Sequence, residues 1–125
     1  MKIIFDANHD EINLPHDHRW TAEALFNIID NAVKYGEANT VIEITIKKFE
    51  LFLKIDIANK GLVIPEHEQG KIFARFYRGQ NTSLQEGSGI GLYLSREIVS
   101  RQGGYIKVKS DQDKTLFSVF LPLEI

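Results

Sequence analysis

Two short runs, at residues 42–46 and 51–57, constrain the fold more than any other feature of the sequence. Ile42, Ile44 and Ile46 alternate with polar residues, and Leu51, Leu53, Ile55 and Ile57 do the same. Period-two alternation predicts two strands joined by a turn near Phe49 and Glu50, with one apolar face between them. That face needs a cover, and two helical segments can supply it. Asp17 is placed to cap a helix running to about Tyr35, with Gly36 as its stop. A second helix is predicted over 89–102, ended by Gly103 and Gly104. Residues 2–8 read as a strand, 9–15 as a polar turn, and 66–73 as a short helix entered through Pro65. Residues 105–110 and 116–121 form a closing hairpin around 111–114. Residues 78–88 are polar, glycine-containing and non-periodic, which predicts a mobile loop. About five strands and two to three helices in blocks predict an α+β domain. The expected form is a two-layer sandwich with helices on one face of a mixed sheet.

Composition bounds the chemistry. The chain has 125 residues, 43% of them apolar, with no repeat or linker to divide them. That suits one domain over 1–125. Fifteen Lys and Arg stand against seventeen Asp and Glu, a net of −2. Such a balance argues against a broad duplex-DNA or membrane footprint. There are no cysteines, so disulfides, thiolate metal sites and thiol nucleophiles are excluded. No apolar run approaches membrane-spanning length and no signal peptide is visible, so a cytoplasmic domain is expected.

On the first helix, Ala22, Leu25, Ile29 and Val33 form the expected core face. Trp20, Glu23, Asn27, Asn31, Lys34 and Tyr35 occupy the other side. Asn27 and Asn31 are one turn apart, so their carboxamides can meet one object about 6 Å wide. Asparagine is a mediocre helix former, because its side chain competes for backbone hydrogen bonds. The pair is either part of a solvated polar face or a set of hard oxygen ligands suited to Mg²⁺. Lys34 could then meet a phosphate as a point charge.

The segment Gly87, Ser88, Gly89, Ile90, Gly91 and Leu92 runs from loop into helix. It reads equally as a hinge or as a phosphate cradle at a helix N-terminus. It lacks the Gly-Lys-Ser/Thr of a Walker loop and the spacing of a dinucleotide fingerprint. Asn59, Lys60 and Gly61 suit a turn. Asn59 is nevertheless in phase with Ile55 and Ile57 and should point inward, where a nucleobase edge could satisfy it. Asp56 is out of phase and is expected at the solvent. The alternation of aromatic and basic residues over 72–78 reads as Phe73 and Phe76 packing under a loop, rather than as a single-strand nucleic-acid platform. The four histidines lack zinc spacing, and no Gly-x-Ser-x-Gly elbow exists.

Taken together and in order, these segments resemble the ATP-binding catalytic domain of bacterial sensor histidine kinases. That family shares a superfamily with type II topoisomerases, heat-shock chaperones and mismatch-repair ATPases. Residues 27–35 are similar to its asparagine box, 59–65 to its first glycine box, 72–79 to its phenylalanine box and 87–92 to its second glycine box. Residues 115–117 and 120–122 are similar to its terminal strands. The resemblance implies a Bergerat-type sandwich with a mostly antiparallel sheet. It implies Asn31 as the Mg²⁺ ligand with help from Asn27, and Lys34 and Tyr35 along the phosphates and ribose. Asn59 and Thr115 would lie on the adenine side, and Gly61 and Ile64 would also bind the nucleotide. Gly87, Gly89 and Gly91 would let the lid and the second helix close on the triphosphate. Ser88, Ile90 and Leu92 would also bind the nucleotide, and Arg78 is a further phosphate candidate.

In the ATPase relatives a glutamate one turn before the metal asparagine activates water, and here that position is Asn27. A carboxamide cannot take a proton near neutral pH, so the γ-phosphoryl should be held for an outside acceptor. In the family that acceptor is a histidine on an upstream dimerisation domain, which is not visible in this sequence. His9 and Asp10 with Pro15 imitate its motif with the wrong spacing. Expected partners are that domain and a cognate response regulator, with no nucleic acid, in a parent protein anchored in a membrane. Two departures stand out. Asn59 replaces the family's adenine-reading aspartate, and Val63 replaces the box's second glycine. They predict weaker ATP binding and relaxed base choice. They also keep open a degenerate pocket serving as an interaction module, and a serine kinase of the anti-sigma-factor type shares the same fold.

Overall fold

The computed structural model describes residues 2–7, 17–61, 63–74, 91–112 and 114–123. Strand β1 (Lys2–Ala7) precedes helix α1 (His18–Tyr35). Strands β2 (Val41–Phe49) and β3 (Phe52–Asn59) then form the expected hairpin. The short helix α2 (Glu66–Gln69), helix α3 (Gly91–Arg101) and strands β4 (Tyr105–Ser110) and β5 (Thr115–Pro122) complete the order. The five strands make one sheet in the order β1-β2-β3-β5-β4. β1 runs parallel to β2, and every other neighbouring pair is antiparallel. This is the mixed sheet that the order of elements predicts, mostly antiparallel as the family resemblance implies.

One face of the sheet carries Ile42 and Ile44 of β2, Leu53, Ile55 and Ile57 of β3, and Phe117, Val119 and Leu121 of β5. All of these are buried. Helices α1 and α3 lie over them, antiparallel to one another. Ser95 Oγ donates to the Ala24 carbonyl at 2.8 Å where the helices touch. At the far end Gln102 Oε1 accepts from the Asp17 N–H at 2.7 Å, and its Nε2 donates to Thr21 Oγ1 at 3.0 Å. Asp17 also caps α1, as expected, by accepting from the Trp20 N–H at 3.1 Å.

The buried stripe of α1 differs from the expected one. Thr21, Ala24, Ile28 and Ala32 are the buried residues, while Leu25 and Ile29 are only partly covered. Ala22 is exposed and Val33 is 47% exposed. The core sector is thus rotated by roughly 100° from the predicted one. Periodicity cannot choose between two apolar stripes, and the small Ala24 wins because it lets α3 approach closely, where Ser95 bonds its carbonyl. Gly36 ends the helix as expected, with an extended φ of −75° and ψ of 153° rather than a left-handed one. Its value lies in contact instead, because it forms a bridge with Gly61.

The opposite face of the sheet is not simply wet. Asp56 was expected at the solvent, but its side chain is only 17% exposed. It accepts from Ser118 Oγ at 2.6 Å and lies 3.5 Å from Lys54 Nζ. Lys47 sits directly opposite Lys54 across β2 and β3. Like charges in that position repel. Lys47→Glu is therefore expected to raise stability by about 0.2–1 kcal/mol, measured by urea unfolding.

Candidate functional site

The site candidates gather at one end of the sandwich, where α1, the N-terminus of α3 and the ends of β3 and β5 converge. α1 carries Asn27 and Asn31 one turn apart, both half-buried, on the border between its buried stripe and solvent. Because the core sector is rotated, these asparagines lie nearer the core than the expected opposite face would put them. α3 begins against them. The space beside Gly91 where a side chain would grow is bounded by Asn27 Cβ, Cγ and Oδ1 at 3.7–4.0 Å. The Asn27 Nδ2 is buried and has no hydrogen-bond partner among the described residues. A native interior seldom leaves such a group unpaired. Turning the amide over exchanges nitrogen and oxygen at that position, so the site can present a hard oxygen ligand there. The residues thus fit an ion-and-phosphate ligand whose charges complete one another. Among the described residues no group of three or more His, Asp or Glu could hold a metal without it.

Lys34 Nζ lies 3.0 Å from Asp30 Oδ2, one turn back on α1, with both side chains well exposed. An exposed pair of this kind contributes little, so the lysine can leave it for a phosphate. Tyr35 is half-buried, and its carbonyl abuts Gly61. A side chain at Gly61 would run into that carbonyl and into Gly36 Cα at 2.8 Å. Together with the Glu37 N–H donating to the Lys60 carbonyl at 2.7 Å, this seam fixes the end of α1 to the end of β3.

At the base of the site, Asn59 is 6% exposed and pairs in register with Thr115, 4% exposed, on β5. The inward phase of Asn59 is as predicted. Its amide makes only a 3.5 Å contact to the Lys60 carbonyl, so its hydrogen-bonding capacity is largely uncommitted among the described residues. Ile64 is half-buried against the core, and Leu92 packs likewise from α3. Val63 is 40% exposed, a surface position rather than part of the buried floor. Phe73 is buried and meets Phe117 edge-to-face at 6.2 Å, the packing role expected of it. Arg78, Gly87, Ser88, Gly89 and Ile90, like Phe76 and the segment containing His9, Asp10 and Pro15, lie outside the described residues.

Sequence reasoning missed two supporting residues. Ser110 Oγ accepts from the Ile64 N–H at 2.8 Å and shares a 2.6 Å hydrogen bond with Thr115 Oγ1. Gln69 Nε2 donates to the carbonyls of Ile64 and Ser110 at 2.9 and 3.2 Å. These bonds hold the loop after β3 against the ends of β4 and β5. The signal was present for Ser110, which is in phase with the inward-facing Ile106 and Val108. Ser110→Ala is expected to destabilise the fold by about 1–3 kcal/mol in urea unfolding, because the Ile64 N–H loses its acceptor.

Comparison with known proteins gives a consistent result. A family model described as histidine kinase-, DNA gyrase B- and HSP90-like ATPase matches residues 16–125. The signal transduction histidine-protein kinase ArlS of Staphylococcus haemolyticus is 39% identical over 100 residues, covering 78% of this chain and 22% of ArlS. The sensor protein VanS of Enterococcus faecium is 33% identical over 115 residues, covering 90% of this chain and 30% of VanS. The chain therefore spans less than a third of these relatives. Among solved structures, the catalytic domain of histidine kinase ThkA aligns with 98% of this chain and 80% of its own, at a TM-score of 0.84 and 24% identity. ThkA in complex with the response regulator protein TrrA gives a TM-score of 0.81, over 98% of this chain and 34% of that one. The sandwich is thus the fold of histidine kinase catalytic domains.

Proposed function

The chain belongs to the family of histidine kinase-, DNA gyrase B- and HSP90-like ATPases, as an ATP-binding catalytic domain of the sensor histidine kinase type, and we propose that it seats Mg-ATP at the junction of α1, α3 and β3. The observation that carries this reading is the buried Nδ2 of Asn27, without a partner among the described residues, one turn from Asn31 and beside Gly91. In it, Asn31 and Asn27 hold the ion and Lys34 steadies the phosphates. Tyr35, Gly61 and Ile64 line the sugar and base, with Asn59 and Thr115 facing the adenine edge. Gly87, Ser88, Gly89, Ile90, Gly91 and Leu92 surround the triphosphate with Arg78. Mg²⁺ supplies charge neutralisation at the β- and γ-phosphates.

The protein's own contribution is positioning. Neither carboxamide can take a proton from water, so hydrolysis is slow and the γ-phosphoryl waits for a nucleophile from outside. That nucleophile is a histidine on a dimerisation domain of the parent protein, from which a response regulator then takes the phosphoryl group. The membership of ArlS and VanS among histidine kinases and sensors supports this reading, as does the ThkA–TrrA complex. The domain works on the cytoplasmic side of a parent anchored in a membrane. No helix among the described residues is long and apolar enough to cross one itself.

Asn59 gives this pocket its own character. An amide oxygen accepts from the adenine amino group without the charge assistance that roughly doubles such a bond. Its amino end can equally donate to the keto oxygen of guanine. Calorimetric titration with ATP, GTP and ADP in Mg²⁺ is expected to show ATP binding first, with GTP within about tenfold, roughly 1.4 kcal/mol. Absent heat for all three nucleotides would overturn the proposed site.

A further inference from the structure

We propose that the free edge of β4, with the cation-rich cleft around it, docks an extended acidic segment of a partner protein by strand addition. The inference does not depend on the nucleotide site. It starts from the sheet edge. In the β4–β5 hairpin, the Asp111 N–H donates to the Lys114 carbonyl at 3.0 Å. Hydrogen-bonded pairs alternate from there, so Lys109, Lys107 and Tyr105 turn their backbone groups toward β5. Gly104, Ile106, Val108 and Ser110 turn theirs outward. The ends of that row are occupied, since the Gly104 N–H donates to the Val99 carbonyl at 2.9 Å and the Ser110 carbonyl accepts from Gln69. Between them, the N–H and C=O groups of Ile106 and Val108 have no partner among the described residues. Four unpaired backbone groups in a row are a template for another strand.

The surroundings specify which strand. A cleft of about 820 Å³ runs over this edge, between β4 and the α2–α3 layer on one side and across the outer sheet face on the other. Its lining includes Lys54, Lys107, Lys109 and Arg96, and no carboxylate among the described residues. Lys54 has Asp56 at 3.5 Å, which leaves Lys107, Lys109 and Arg96 as a local excess of one sign in a chain of net charge −2. Among the described residues Lys107 and Lys109 form no ion pair. Lys107 Nζ instead stands 5.7 Å from the Tyr105 ring centre and 5.9 Å from that of Phe120. The same cleft is apolar underneath, with Phe73 and Leu116 in its walls. A strand added beside β4 would set alternate side chains next to Tyr105, Lys107 and Lys109, and the others next to Ile106 and Val108. Acidic residues suit the first row and aliphatic ones the second.

Other anionic surfaces fit less well. Phe120 is 4% exposed, with Tyr105 stacked on it at 4.4 Å, so the ring faces are taken by one another and few remain for bases. A bilayer would meet the rim of the cleft and leave the outward N–H and C=O groups of Ile106 and Val108 unpaired.

The test uses a short fluorescent peptide of alternating glutamate and valine, its lysine–valine counterpart, oligothymidine, and vesicles of phosphatidylserine with phosphatidylcholine. Only the glutamate peptide is expected to bind, more weakly at high salt. The double variant Lys107→Glu, Lys109→Glu should weaken it by roughly tenfold or more. Val108→Pro removes one outward N–H without touching a charge or a sheet bond, and proline is tolerated on an edge. It should also weaken binding, while amide exchange at Ile106 slows on peptide addition to the unsubstituted chain. Equal binding of both peptides, no binding of the glutamate peptide, or preference for oligothymidine or vesicles would overturn the proposal. Should Val108→Pro unfold, the charge-reversed variant and the exchange measurement decide it.

Discussion

Phe117→Ala is expected to lower the free energy of unfolding by about 3–5 kcal/mol. Phe117 is 1% exposed on β5, the strand between β3 and β4, with Ile57 and Val108 directly across from it. The edge of its ring meets Phe73, at 6.2 Å and 89° between planes. Truncation would remove a large apolar surface and leave a void bounded by a sheet on one side, where the backbone cannot close in. Whole domains of this size are stable by only about 5–15 kcal/mol, so the loss is a large share of the total. It should also loosen Phe73, which anchors the segment leading away from α2. Urea unfolding measures the change, and a difference under about 1 kcal/mol would mean that Phe117 is not the keystone its burial indicates.

Asn31→Ala is expected to weaken Mg²⁺-dependent ATP binding by about 1.5–3 kcal/mol, tenfold to somewhat over a hundredfold, while leaving the nucleotide-free fold as stable as before. The separation of the two effects is the informative part. Asn31 is half-buried and is not among the core residues, so removing its amide takes little from packing. Asn27→Ala sharpens the contrast. Its buried Nδ2 has no partner among the described residues, a condition that destabilises a fold by about 1–3 kcal/mol. The alanine variant should therefore unfold at higher urea concentration than the parent chain and yet bind Mg-ATP less well. A residue retained at the expense of stability is one shaped by a ligand. Thermal shift at about 100 times the dissociation constant reads the binding half directly, since ligand then stabilises the parent chain by roughly 2.7 kcal/mol. If Asn27→Ala lowered both stability and affinity together, the asparagine would be ordinary packing.

Much of this fold was legible because strand alternation is a local signal. Ile42, Ile44, Leu53, Ile55 and Ile57 announce one buried face, and all five are buried. The inward phase of Asn59 followed from the same count. The helix α1 was less legible, since Ala22, Leu25, Ile29 and Val33 also form an apolar stripe. Which stripe is buried depends on α3, whose close approach over Ala24 is a tertiary fact with no trace in the α1 sequence. Asp56 was misjudged for a related reason: its partners Ser118 and Lys54 lie on the outer face, one of them more than sixty residues away in sequence. The candidate site was legible as a set of motifs. The hydrogen bonds that tie the loop after β3 to the end of β4, Ile64 to Ser110 and Gln69 to Ser110, were not, because both join segments more than forty residues apart.

The most direct measurement is a crystal of the chain grown with a non-hydrolysable ATP analogue and Mn²⁺ in place of Mg²⁺, with the ion located by its anomalous scattering. The expected result is a peak close to the roughly 2.1 Å of hard oxygen ligation from the Asn31 carboxamide, with the triphosphate between it and Gly91. A nucleotide bound elsewhere, or an ion out of reach of both Asn27 and Asn31, would contradict it.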